Sequence, residues 1–221
     1  MGQPEVMVRR VFAFLVMSAD GCYAGLGQAL EWQSRDGELC QFAVEQLAGA
    51  GVLLLGRVTY EQMAAFWTSP GRVLDADMAA AVESIPKVVV SRTLTQAGWG
   101  NTRILSGGFE EELFSLKAEE GNPIAVLGSS SLTAGLLQMG LVSELRIMVS
   151  PFILGGGKPM LAGLDRIGVR LAGVRQFQSG EVLLRYLTPV VPAGHVKYPD
   201  GHVEFGGWSG RPPGWGFPPE G

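Results

Sequence analysis

Cysteine is scarce: the two in 221 residues, Cys22 and Cys40, are too few for a disulfide framework and lack the four-ligand spacing of a structural zinc site. With so few thiols the simplest expectation is a reducing, cytoplasmic compartment. Charge is scarce as well, at 17% of residues against about 25% in an average soluble domain. The 17 Lys and Arg are outnumbered by 21 Asp and Glu and form no cluster that would track phosphates, which excludes a dedicated nucleic-acid binder. No apolar run approaches the ~18–20 residues of a membrane span. Arg9-Arg10 followed by the apolar run 11–17, with Cys22 beyond it, has the outline of a short leader. Asp20-Gly21 is a poor approach to a processed cysteine, however, and the run reads equally well as a buried strand. Internal repeats are absent.

What is present is ample apolar material, 47% of residues, enough for the core of one domain. Strand-like runs fall at 8–18, 52–55, 87–91, 124–127, 145–152, 168–178 and 182–187. Those at 52–55, 88–90 and 124–127 are short and continuously apolar, as expected of inner strands of a parallel sheet covered on both faces. Helical spacing occupies 36–50, 59–65, 75–85, 109–119 and 131–140. The alternation predicts an α/β domain over 1–188, with a mixed, mainly parallel central sheet flanked by helices. Beyond Leu145 the strands are joined by Gly-rich turns, so the sheet is expected to end in an antiparallel hairpin. The last 33 residues, 189–221, hold 7 of the 13 Pro, 8 of the 32 Gly and both His, and read as a tail with a short hairpin around Pro199-Asp200-Gly201.

Three strand ends carry chemistry. Gly56-Arg57-Val58-Thr59 follows one buried strand and opens a helix, where glycine admits a close ligand, free N–H groups attract an anion and Arg offers a forked donor. Its bland alternative is a Thr-capped helix with a surface Arg. Ser91-Arg92-Thr93 repeats the arrangement after the next strand. Gly128-Ser129-Ser130-Ser131-Leu132 leads into a third helix and suits a diphosphate, or else is a flexible loop with a serine cap. It is neither a P-loop nor a Gly-x-Gly-x-x-Gly fingerprint. Ligands of open α/β sheets bind outside the carboxyl ends of the strands. Together the three ends outline a slot for a long polyanionic small molecule.

The order Ser18-Ala-Asp20-Gly21, Leu55-Gly56-Arg57-Val-Thr59-Tyr60-Glu61, Lys87-Val-Val-Val-Ser91-Arg92, Leu127-Gly128-Ser129, Gly140-Leu-Val-Ser-Glu144-Leu145 and Pro151-Phe-Ile-Leu-Gly155-Gly-Gly157 resembles the dihydrofolate-reductase-like superfamily. More closely, it resembles the reductase domain at the C-terminus of bifunctional riboflavin-biosynthesis deaminase-reductases, in a stand-alone form. The resemblance spans residues 8–188 and implies a reductase, an NADPH cofactor, a small-molecule substrate and a homodimer.

Within it, Gly56, Arg57 and Thr59 match positions on the cofactor phosphates, Ser91 and Arg92 the 2′-phosphate side, and Gly128, Ser129, Ser130, Ser131 and Leu132 the turn under the diphosphate. Val16 and Ala24 match positions bordering the nicotinamide. Glu38 resembles the acid at the start of the first long helix, with Asp36 second, and Asp20 matches a position near the active site; acidic residues also enrich any helix's first turn. Trp32 and Trp67 are candidates to floor a planar ring. The His-x-Glu and Pro-Cys-x-x-Cys signature of a zinc deaminase is absent from these residues. Ser143 before Glu144, and Pro159 after the glycines, depart from the riboflavin-pathway pattern. The expected activity is therefore hydride transfer to a C=N or C=O bond of a small, pterin- or pyrimidine-like heterocycle. The alternatives are reduction of 5-amino-6-(5-phosphoribosylamino)uracil and a non-catalytic nucleotide-binding dimer.

Overall fold

The computed structural model describes residues 9–24, 37–68, 80 and 82–189. Its strands are β1 (Val11–Ser18), β2 (Cys22–Ala24), β3 (Val52–Gly56), β4 (Lys87–Val90), β5 (Thr102–Leu105), β6 (Ile124–Leu127), β7 (Glu144–Ser150), β8 (Lys158–Pro159), β9 (Arg170–Gln176) and β10 (Val182–Leu187). The helices used below are α1 (Gly37–Ala48), α2 (Arg57–Trp67), α3 (Phe109–Ala118) and α4 (Ser130–Gln138).

Eight strands form one sheet in the order β5-β4-β3-β6-β1-β7-β10-β9. The pairings from β5 to β7 are parallel, and β10 lies antiparallel to both β7 and β9. The expected architecture is therefore the observed one, including the antiparallel hairpin at its end. β2 and β8 form a separate two-stranded ladder.

Each continuously apolar strand feeds two cores, because successive side chains point to opposite faces. Val52 and Leu54 of β3, with Ile124 and Val126 of β6, meet Leu113 and Leu116 of α3 and Leu136 of α4. Leu53, Leu55, Ala125 and Leu127 face the other way, onto Leu47 of α1 and Tyr60 of α2. A third cluster on that second face joins Phe42 of α1 to Met148, Phe177 and Leu183.

Several boundaries moved. α2 begins at Arg57 rather than 59, so Arg57 lies within the first helical turn. β5 went unread, since Thr102-Arg-Ile-Leu105 is a half-exposed edge strand whose Arg103 pairs with Glu112 on α3 instead of adding an apolar signal. The expected tail hairpin, most of the 75–85 helix, Asp36 and Trp32 lie outside the described residues.

Candidate cofactor and active site

The carboxyl ends of β3 and β6 are neighbours, and each runs directly into a helix. α2 starts after Gly56 and α4 after Ser129, and neither has a side-chain cap, so the sequence alternatives of a Thr cap and a Ser cap are not realised. Their first N–H groups are left to face outward, which with the helix dipoles makes an anion-attracting pair of termini. Gly128 (φ +55) and Ser129 (φ 49) turn the chain through two left-handed residues, and Thr133 Oγ1 donates to the Gly128 carbonyl at 3.3 Å.

These ends open on a cavity of about 940 Å³. It brings together Ala24, Gly56, Arg57, Thr59, Ser91, Arg92, Ser129, Ser130, Ser131 and Leu132 from four separate stretches of sequence. Gly128 lies behind the wall, beneath Thr59. Val16 faces the α1 side of the sheet, against the Phe42, Met148, Phe177 and Leu183 cluster. Trp67 packs at the far end of α2 and does not border the cavity.

The charge of the rim is predominantly positive: Arg57, Arg92, Lys158 and Arg166 against Glu110 and Asp165. Arg57 donates to both oxygens of Glu61, one turn along α2, at 3.1 and 2.9 Å. Among the described residues the Arg92 side chain has no hydrogen-bond or ion-pair partner. Ser91 Oγ accepts the N–H groups of Thr93 and Leu94, fixing the turn that carries Arg92. Such a cavity, with cations around it and two uncapped helix ends opening on it, fits a phosphate-rich dinucleotide. The sequence reading missed the far wall, made by Phe109 of α3 and by Asp165 to Ile167. That segment carries no motif and is brought in by a backbone tie, the Leu161 N–H donating to Ser130 Oγ at 2.7 Å.

The two candidate acids sit elsewhere. Asp20 accepts from Ser18 Oγ at 2.5 Å and from the N–H groups of Leu154 and Gly155 at 3.1 and 2.9 Å. The Ser18 hydroxyl and the two amides hold its carboxyl below the usual carboxylate range, so Asp20 is an ionised anchor for the loop after β7. Glu38, in the first turn of α1, accepts from Gln178 N–H at 3.0 Å and Arg175 at 3.3 Å. Neither borders the cavity. Among the described residues no helix is long and apolar enough to cross a membrane.

Comparison with known proteins agrees with this geometry. Residues 9–183 match the RibD C-terminal domain model. The uncharacterized protein YyaP of Bacillus subtilis (strain 168) is 28% identical over 184 residues, covering 80% of this chain and 94% of that protein. A solved structure from Shewanella sp. PV-4 superposes with a TM-score of 0.63 at 20% identity, covering 82% of this chain and 99% of the other. The Thermotoga maritima diaminohydroxyphosphoribosylaminopyrimidine deaminase/5-amino-6-(5-phosphoribosylamino)uracil reductase superposes with a TM-score of 0.61 at 15% identity, over 82% of this chain and 57% of that longer one. The chain belongs to the RibD C-terminal domain family and, with it, to the oxidoreductases.

Proposed function

We propose that this chain is an NADPH-dependent reductase that transfers hydride to a C=N or C=O bond of a small heterocycle. The observation that carries the reading is the convergence on one cavity of two uncapped helix N-termini, Arg57, and Arg92, whose side chain has no partner among the described residues. Gly56, Thr59 and Ser129 to Leu132 would hold the diphosphate, and Ser91 and Arg92 the adenosine 2′-phosphate, with Val16 and Ala24 toward the nicotinamide. When bound, the reduced nicotinamide supplies the hydride. The protein's own share is orientation and proton management. Asp20 fixes the loop after β7. Glu38, partly exposed and bonded to the Gln178 amide, relays a proton from solvent.

A second reading, reduction of 5-amino-6-(5-phosphoribosylamino)uracil, is favoured by the family itself and by Lys158 on the cavity wall, a cation suited to a ribose phosphate. The proposal includes a homodimer. Its support is an uncovered apolar strip on the edge hairpin, where Leu171 and Val174 of β9 are exposed.

The deciding experiment is a titration of the purified protein with NADPH and with NADH, followed by nicotinamide fluorescence and binding heat. Preference for NADPH by tenfold or more supports the reading, in line with about 1.5–3 kcal/mol for a charged hydrogen bond. Binding of neither dinucleotide removes it. Binding without turnover on dihydropterins, aminopyrimidines or small carbonyls moves the protein to the nucleotide-binding alternative.

A further inference from the structure

Three carboxylates stand near the corner where β1, β7 and β10 meet the start of α1, and none of them lines the cavity. Asp20 and Glu38 are engaged by protein donors, and Glu181, at 1% exposure, is buried with neither oxygen bonded. The carboxylates that do line the cavity, Glu110 and Asp165, belong to its far wall. A proton donor for the reacting end must therefore come from elsewhere, and the β2–β8 ladder supplies one.

In that ladder Cys22 pairs with Pro159 and Ala24 with Lys158, so two steps along β2 answer one along β8. Tyr23 is thus the extra residue of a β-bulge, an irregularity that re-aims a side chain and recurs beside active sites. Successive residues of an unbroken strand face opposite ways, whereas Tyr23 and Ala24 both line the cavity, together with Lys158. The backbone before the bulge is pinned: Cys22 N–H donates to the buried Ser18 Oγ at 3.0 Å, and Met160 N–H to the Gly21 carbonyl at 2.9 Å. Ala24, after the bulge, is buried. Tyr23 itself is half-buried, and its hydroxyl has no hydrogen-bond partner among the described residues.

The strand order places this wall at one end of the cavity. Arg92 follows β4, Arg57 follows β3 and the serine turn follows β6, while β2 follows β1. In the sheet these strands run β4-β3-β6-β1, so β1 lies three strand spacings, about 14 Å, from β4. A dinucleotide whose phosphates lie on the cations and helix termini of the first three strands brings its redox ring to the fourth, where Tyr23 stands.

We propose that Tyr23 is the catalytic acid of this reductase, giving its phenolic proton to the heteroatom of the C=N or C=O bond that is reduced. This role deepens the reductase reading and rests on it. In the step the acceptor carbon gains a hydride from the reduced nicotinamide of NADPH, which is left as NADP+. The π electron pair moves onto the nitrogen or oxygen, and that atom takes the Tyr23 proton. The phenol O–H bond breaks with its electrons kept on oxygen, and a proton from water restores it. Lys158, opposite Ala24, adds a positive charge to the same wall and so favours the phenolate during the step. Glu38 keeps its relay from solvent, and the last transfer, at the acceptor atom, is made by Tyr23.

Two measurements on the full chain test the role. The first is nitration by tetranitromethane, read at Tyr23 by peptide mass spectrometry, alone, with NADP+ and with 2′,5′-ADP, which has the adenosine-end phosphates but no nicotinamide. NADP+ at about ten times its Kd should slow Tyr23 nitration about tenfold, while 2′,5′-ADP at the same saturation leaves it unchanged. Equal protection by the two, or none by NADP+ while calorimetry shows it bound, overturns the assignment. The second is Tyr23→Phe, assayed with NADPH on dihydrobiopterin, pyrroline and cyclohexanone. On whichever acceptor the wild type reduces, kcat should fall about a hundredfold or more, with the melting midpoint and the NADPH affinity unchanged. An undiminished kcat in the folded variant overturns the acid, and so does a wild type that binds NADPH and reduces none of the three. Failure of both NADPH and NADP+ to bind overturns the reductase reading beneath it.

Discussion

A methyl group placed on Gly128 would lie 3.2 Å from Cγ2 of Thr59, and one placed on Gly56 would lie 2.5 Å from Oγ of Ser129. The two strand-to-helix junctions are therefore interlocked, each glycine receiving a side chain from the other junction's helix start. That contact sets the spacing of the α2 and α4 N-termini. Gly128→Ala adds a left-handed alanine to the steric conflict. It should lower stability by about 1–2 kcal/mol and weaken NADPH binding, as read by thermal melting and fluorescence titration.

Arg57 and Arg92 differ in readiness. Glu61 competes with any phosphate for Arg57, so Glu61→Gln should tighten NADPH binding by a few-fold. Arg92→Ala should cost about tenfold or more for NADPH and little for NADH, because only the former carries the 2′-phosphate. Equal losses for the two dinucleotides would remove Arg92 from the 2′-phosphate.

Asp20 links Ser18, at the end of β1, to the amides of Leu154 and Gly155. Its carboxyl ionises below the ordinary value of 3.8 in the folded chain, so the tie is present above that pH and is lost as pH falls through the lowered value. Asp20→Ala should speed amide exchange at Leu154 and Gly155 and slow hydride transfer at neutral pH. Unchanged exchange at both amides would argue against the anchor.

Glu144 offers a pH test of stability at the opposite end of the sheet. Burial alone raises its carboxyl, but hydrogen bonds from Arg146 and Arg185, both at 2.8 Å, bring it from 4.5 down to about 2. The folded value is the lower one, so the stabilisation is complete above about 4.5 and disappears as pH falls toward 2. About 2 kcal/mol is expected after allowing for the half-exposed Arg185. Glu144→Gln should lose that amount at pH 7 and flatten the acid limb of a urea-melt series.

Leu171 faces Tyr186 and Val174 faces Leu184, with the bulge at Ala172 keeping both on one face of the edge hairpin. A homodimer formed there would be disrupted by Leu171→Asp together with Val174→Asp. Light scattering should then give the monomer mass with the fold retained by circular dichroism. A monomeric wild type would remove the dimer.

Much of this fold is legible in local pattern. The runs 52–55 and 124–127 could be read as inner strands because a parallel strand buried on both faces needs unbroken apolar side chains, and both became central strands. The glycine-led junctions at Gly56 and Gly128 were legible for a similar reason: a helix starting at a strand's carboxyl end leaves a recognisable Gly-polar sequence. β5 was not legible, being half-exposed at an edge, nor was the wall made by Asp165 to Ile167, which has no periodicity of its own.

The sequence by itself determined the α/β class, the antiparallel finish and three phosphate-suited strand ends, all properties of short contiguous stretches. Only the tertiary structure decided that those ends share one cavity, that Glu38 and Asp20 are occupied by donors from residues more than a hundred positions away, and that Glu181 is not. Hydrogen-bond satisfaction depends on which strands become neighbours, and that order, β6-β1-β7-β10, is written in no single segment of the chain.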